Sequence, residues 1–108
     1  MPLCYLYTNK KESELKDGIE SRIANVVAEV LGKPLERMII TVVPNVRMFR
    51  QGNTEPTCTL EISAVGVFDA ERNSTYSPTI KKLLQDELDL PAERCVIVYT
   101  DLDVNFVG

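Results

Sequence analysis

The 108-residue chain contains no histidine. That absence removes the commonest general base, the Ser-His and Cys-His nucleophile pairs, and most zinc sites. Three cysteines, Cys4, Cys58 and Cys95, form no C-x-x-C and lie in apolar, strand-like runs. They read as structural thiols of a reducing compartment, because a free cysteine packs as a small hydrophobe. No run of like charge occurs: 12 basic residues stand against 16 acidic ones, for a formal net charge of −4. Binding to nucleic acid or to an anionic membrane therefore has no electrostatic support. No apolar stretch is long enough for a membrane span, and no basic, apolar, small-residue leader opens the chain, so synthesis in the cytoplasm is expected. With the usual metal ligands missing, neither metal nor cofactor is expected.

An enzyme with this composition needs an unusual base, and the chain start offers one. Pro2 follows Met1 at the head of the apolar run Leu3-Cys4-Tyr5-Leu6-Tyr7. Removal of Met1 leaves a secondary amine, which no other amino acid supplies. A free amino terminus titrates near 7.7 to 8.0, and burial among apolar groups lowers that value. Such a terminus is a neutral base near physiological pH. Many chains begin Met-Pro without using it, so the rest of the sequence has to decide.

At this length the chain is expected to be one domain over residues 1–108, small enough to gain from oligomerising. An internal repeat sets its organisation. Pro34-Leu35-Glu36-Arg37 and Pro91-Ala92-Glu93-Arg94 share the pattern P-x-E-R, and each runs into a β-branched strand. A helix and an earlier strand precede each copy, so a strand-helix-strand unit is stated twice, over about residues 2–44 and 58–101, with a polar loop between.

In the first unit, Ile19, Ile23, Val26, Val27, Val30 and Leu31 fall on one helical face. Asp17-Gly18-Ile19-Glu20 predicts a capping box with Leu15 outside the helix, unless the helix begins a turn earlier at Ser13. Gly32 and Pro34 end it. Met38 to Val43 is nearly all apolar, which predicts a strand covered on both faces. The loop of residues 44–57 has room for a short edge strand near Met48. The second unit opens with a strand from Cys58 to Val65, closed by Gly66. Its helix starts at Ser77-Pro78, or near Asp69 with Pro78 as a kink. Two parallel crossovers then give a four-stranded α/β sheet with both helices on one face. The apolar other face must find a partner, most simply further copies of the chain, which predicts an obligate homo-oligomer.

Met1-Pro2, Thr8-Asn9, Gly32-Lys33-Pro34, Val43-Pro44, Gly52-Asn53-Thr54-Glu55-Pro56, Val65-Gly66, Asn73 with Tyr76-Ser77, and Asp101 through Asn105-Phe106-Val107-Gly108 together resemble the macrophage migration inhibitory factor and D-dopachrome tautomerase family. The likeness runs over the whole chain. It implies a homotrimer and keto-enol tautomerisation of phenylpyruvate-like or dopachrome-like substrates by the N-terminal proline. Pro2 is then the catalytic base, Lys33 the carboxylate anchor, and Val65 a backbone contact to substrate. Arg37 either adds a bidentate carboxylate contact or, like Arg94 at the matching place, serves the fold.

The chain departs from the family pattern at several positions. Val96 and Val98 stand where the inhibitory-factor branch has Tyr and Asn from the neighbouring subunit, so activity on hydroxyphenylpyruvate is expected to be weak. Thr57 and Leu60 interrupt the family's C-x-x-C, and thiol oxidoreductase activity is not implied. Glu12 and Asn45 replace the Arg and Asp linked with receptor mimicry. A second reading of the same resemblance is a cytokine-like protein, secreted without a leader, that binds a cell-surface receptor and keeps the pocket as a vestige.

Overall fold

Strict alternation in two strands fixes which side of the sheet becomes the core. Strand β1 (Pro2–Thr8) buries Pro2, Cys4, Leu6 and Thr8, and β3 (Cys58–Ala64) buries Cys58, Leu60, Ile62 and Ala64 with the same pattern. A computed structural model describes all 108 residues. β1 and β3 pair antiparallel at the centre of the sheet, with Leu6 opposite Leu60. Strand β2 (Ile39–Val43) flanks β1 in parallel and β4 (Cys95–Asp101) flanks β3 in parallel, giving the order β2-β1-β3-β4. Each parallel pair is joined through a helix, α1 (Ile19–Leu31) or α2 (Ala70–Leu88). Both helices pack on the Leu6–Leu60 side, where Ile23, Val27, Ile80, Leu84 and Leu88 complete the core. Full burial of each large aliphatic side chain contributes about 1.5–3 kcal/mol. The helices are also joined to each other, since Arg22 of α1 donates twice to the buried Glu87 carboxylate of α2 at 2.7 Å.

The capping box expected at Asp17 does not form. Gly18 sits at φ 82°, a left-handed conformation that the first helical turn cannot contain, so α1 starts after it at Ile19. Leu15 lies outside the helix but packs against the core. The Asp17 backbone carbonyl instead accepts from the Arg22 guanidinium at 2.8 Å.

Of the two starts open for α2, the structure takes the earlier. Asp69 caps it, one carboxylate oxygen accepting from the Arg72 amide at 2.7 Å and the other from the Arg72 guanidinium at 2.7 Å. Pro78 lies inside the helix, where it removes one backbone donor. The turn before it carries three hydroxyls that bond back to helix carbonyls: Ser74 to Glu71, Thr75 to Arg72 and Ser77 to Asn73. Asp69→Ala is expected to cost about 1 kcal/mol in urea denaturation, the usual worth of an N-cap.

The face of the sheet away from the helices is uncovered. Leu3, Tyr5 and Tyr7 of β1 align there with Ile39, Thr41 and Val43 of β2, and Val96 and Val98 of β4 extend the same surface. Coverage of β2 on both faces, expected from its apolar run, does not occur within one chain: Ile39 is 47% exposed. The edge strand expected near Met48 is also absent. The loop of residues 44–57 holds one isolated bridge, Arg50 to Asn53, and is fixed mainly by side chains from elsewhere. Asn9 donates to the Thr54 and Glu55 carbonyls, both at 3.0 Å, and accepts from the Thr57 amide at 2.9 Å.

All three cysteines are buried and free. Cys58 stands opposite Cys95 in the β3–β4 register, and that neighbouring thiol, together with burial, pushes Cys58 up. Burial pushes the Cys4 thiol up from 9.0 to about 12. A thiol that holds its proton more tightly when folded contributes its full stability below the unfolded value. It loses that contribution as pH climbs from about 9 to about 12. Between pH 8 and pH 10.5 the wild type should therefore lose about 2 kcal/mol more than Cys4→Ala, at about 1.4 kcal/mol per pH unit. Parallel urea titrations at the two pH values measure the difference, and equal losses would contradict it.

Candidate active site

The two P-x-E-R copies fold alike and end differently. Each forms a single 3-10 turn, Leu35–Arg37 or Ala92–Arg94, and passes into the following strand. Arg94 is buried at 7% exposure and donates to the carbonyls of Glu55 at 2.6 Å, Arg50 at 2.8 Å and Pro56 at 3.0 Å. It therefore clasps the 50–57 loop. The Arg37 side chain is exposed and hydrogen-bonds to no protein group, although the P-x-E-R pattern is the same. The loop reaches Arg94 and not Arg37, so one arginine serves the fold and the other is left free.

Arg37 faces a cavity of about 350 Å³ together with Met1, Lys33, Val65, Val104, Val107 and Gly108. Four stretches of chain meet here for local reasons. Gly32 at φ 66° closes α1, and the Lys33 amide returns to the Ala28 carbonyl at 2.9 Å, leaving the Lys33 side chain just past the helix end. A cation is favoured there by the helix dipole. Pairing of Leu3 with Ile39 sets the Leu35–Arg37 turn beside the start of β1. Pairing of Pro2 with Ala64 sets Val65 beside Met1. Gly66 then turns the chain at φ 70°, its amide donating to the Asp101 carboxylate at 3.1 Å, while the Leu102 amide donates to the Ala64 carbonyl at 2.8 Å. These bonds tie the C-terminal segment to the end of β3. A last short turn, Val104–Phe106, is capped by Asp103, whose carboxylate accepts from the Asn105 amide at 2.9 Å, and it lays Val104 and Val107 along the cavity wall.

The structure thus places Lys33, Arg37 and Val65 around one cavity. Pro2 itself is buried behind Met1, which occupies the lining position at the chain start. Val104 and Val107 lie in the C-terminal stretch that carries the resemblance but had no site role from the sequence; an aliphatic wall residue carries no chemical signature there.

The electrostatics of the cavity are one-sided. Lys33 and Arg37 take part in none of the ion pairs, which use Lys16, Arg22, Arg72 and Lys82. No acidic side chain lines the space, and its remaining side chains are Val and Met. Such a site takes a small anion with an apolar body. A larger cavity of about 460 Å³ lies past the other end of β1, lined by Asn9, Val46, Arg47, Met48, Phe49 and Thr54. It holds a single cation and none of Pro2, Lys33, Arg37 or Val65, so size alone is a poor guide to the chemistry. Nowhere in the chain do three His, Cys, Asp or Glu side chains converge as a metal would require.

The chain matches the family model "Macrophage migration inhibitory factor (MIF)" over residues 1–108. It is 35% identical to the D-dopachrome decarboxylase of Mus musculus, over all of this chain and 92% of that protein. It is 30% identical to the macrophage migration inhibitory factor of Meriones unguiculatus, over all of this chain and 94% of that one. The solved macrophage migration inhibitory factor of Trichinella spiralis superimposes with a TM-score of 0.93 at 23% identity, over 98% of this chain and 94% of the other, a likeness of fold. A match along the full length, with relatives at this identity and the same sheet and helices, has one reading: the chain belongs to the macrophage migration inhibitory factor family.

Proposed function

We propose that the protein is a keto-enol tautomerase of phenylpyruvate-like or dopachrome-like substrates, with Pro2 as general base once Met1 is removed. The observation that carries this reading is the meeting of Lys33, Arg37, Val65 and the chain start around one apolar-walled cavity of about 350 Å³. The name of the mouse relative, D-dopachrome decarboxylase, favours the same class of substrate.

The reaction moves one proton. The Pro2 nitrogen takes it from the carbon next to the ketone; the C–H pair becomes the carbon-carbon double bond and the carbonyl pair moves onto oxygen. The ring nitrogen then returns the proton to that oxygen. Lys33 holds the substrate carboxylate, and the backbone amide of Val65 contacts the substrate. No cofactor enters the step. The same nitrogen, acting in reverse, converts enol to ketone.

The uncovered sheet face supports a homotrimer, in which Val96 and Val98 of a neighbouring copy would line the pocket with apolar surface. Light scattering should give about three times the 12.1 kDa chain mass. Met-free protein is expected to enolise phenylpyruvate, while protein that retains Met1 is not. Equal turnover by both forms would refute the proline as base. The relative named macrophage migration inhibitory factor supports the second reading, a cytokine-like binding protein. That reading predicts no turnover of any enolisable keto acid and partner binding unchanged by Pro2→Gly.

A further inference from the structure

Lys33 and Arg37 make the cavity more cationic than one carboxylate can satisfy. Neither side chain has an acidic or hydrogen-bonded partner, and no acidic side chain shares the lining. With a neutral base at Pro2, a monocarboxylate leaves one uncompensated positive charge against walls made of Val65, Val104 and Val107. A dianion pairs with both, with a charge-assisted hydrogen bond at each end.

The internal repeat shows how an arginine at the end of this turn is used. Arg94 brings three carbonyl oxygens within 2.6 to 3.0 Å of its guanidinium, all from the 50–57 loop. Arg37 stands at the matching place, exposed and with no loop against it, so its guanidinium is open to the oxygens of a ligand. The residue matching Lys33 in the second unit is the buried Leu90. An arginine therefore works at this turn without a lysine beside it. Lys33 is an addition specific to the cavity, and the pair reads as two anchors rather than one anchor and its support. One chain gives the lining no aromatic ring, hydroxyl or side-chain amide to meet a phenyl or phenol group.

We propose that the preferred substrate of this site is a 2-oxo dicarboxylic acid, with Lys33 holding the carboxylate next to the ketone and Arg37 the remote one. This rests on the tautomerase reading above. The proton balance is unchanged: the C3 proton goes to the Pro2 nitrogen and returns to the ketone oxygen, and both carboxylates stay intact. Arg37 touches the substrate and sets its class, since a guanidinium meets a carboxylate with two parallel hydrogen bonds.

The test compares oxaloacetate with phenylpyruvate on Met-free protein, following enol formation and C3 proton exchange. Wild-type kcat/KM should be at least ~10-fold higher for oxaloacetate, and Arg37→Leu should lower it by ~100-fold and abolish the preference over phenylpyruvate, with partial rescue in Arg37→Lys. Binding supplies a readout that needs no turnover. Succinate should bind the Pro2→Gly variant at least ~10-fold more tightly than butanoate by calorimetry, a preference lost in Pro2→Gly/Arg37→Leu. Preference for phenylpyruvate, equal loss on both substrates, or equal affinity for succinate and butanoate would overturn the dicarboxylate assignment. If phenylpyruvate turnover still depends on Pro2 in those cases, the tautomerase reading stands without it. Absence of turnover on both compounds would overturn the tautomerase reading itself.

Discussion

Arg94→Leu is expected to lower the unfolding free energy by about 3 kcal/mol, and Arg37→Leu to leave it within about 0.5 kcal/mol. The two arginines end the same P-x-E-R turn, so local sequence gives no reason for the contrast. It comes from partners distant in the chain. Arg94 satisfies the Glu55, Pro56 and Arg50 carbonyls, and its own carbonyl accepts from the Thr57 hydroxyl at 2.8 Å. Removing the guanidinium detaches the loop from β4 and opens the fully buried Thr57 and Cys58 to water. Arg50 adds to the effect, because its guanidinium donates to the Thr57 hydroxyl at 2.7 Å and the Cys58 carbonyl at 2.6 Å, bonds that need the loop in place. With a urea slope near 2 kcal/mol/M, the midpoint should fall by about 1.5 M for Arg94→Leu. Similar midpoints for the two variants would mean that the clasp contributes little and that the repeat has not diverged in role.

Pro2→Gly is expected to lower kcat/KM for keto-enol conversion by about 100-fold or more, the scale of one general acid-base group. Glycine keeps an amine at the mature terminus, so the loss reports what the ring provides. Proline fixes φ near −65°, and the buried ring holds the nitrogen at one place at the head of β1. Glycine removes both the ring packing and the restriction, and its amine samples many positions. The structural cost should be modest, about 1–2 kcal/mol for lost burial and added chain freedom. Circular dichroism and chain association should therefore match the wild type while turnover collapses. A variant as active as the wild type would remove the proline from the mechanism.

Much of the architecture was legible because it depends on local pattern. The apolar strand runs, helical spacing in α1 and the repeated P-x-E-R unit were enough to imply a duplicated strand-helix-strand sheet with one bare face. Lys33, Arg37 and Val65 were legible through family resemblance, and the folded chain brings them to one cavity. What escaped the sequence depends on geometry at a distance or on a single backbone angle. Gly18 carries the left-handed turn that moves the start of α1 past the apparent capping box. Pro78 looked able to begin a helix, yet Asp69 with its double bond to Arg72 begins it earlier. The free and the clasped arginine could not be told apart, because the loop that distinguishes them is supplied from residues 50–57. Cys58 and Cys95 are 37 positions apart and become neighbours only through the β3–β4 register.

The central claim is that a secondary amine at the mature chain start is an uncharged base near neutral pH. The pH profile of kcat/KM for Met-free protein tests it most directly. The rise that reports loss of the proton from Pro2 should be complete below about pH 7, leaving a plateau through neutrality. A rise centred at about pH 8 or above, the range of an ordinary exposed amino terminus, would contradict the account.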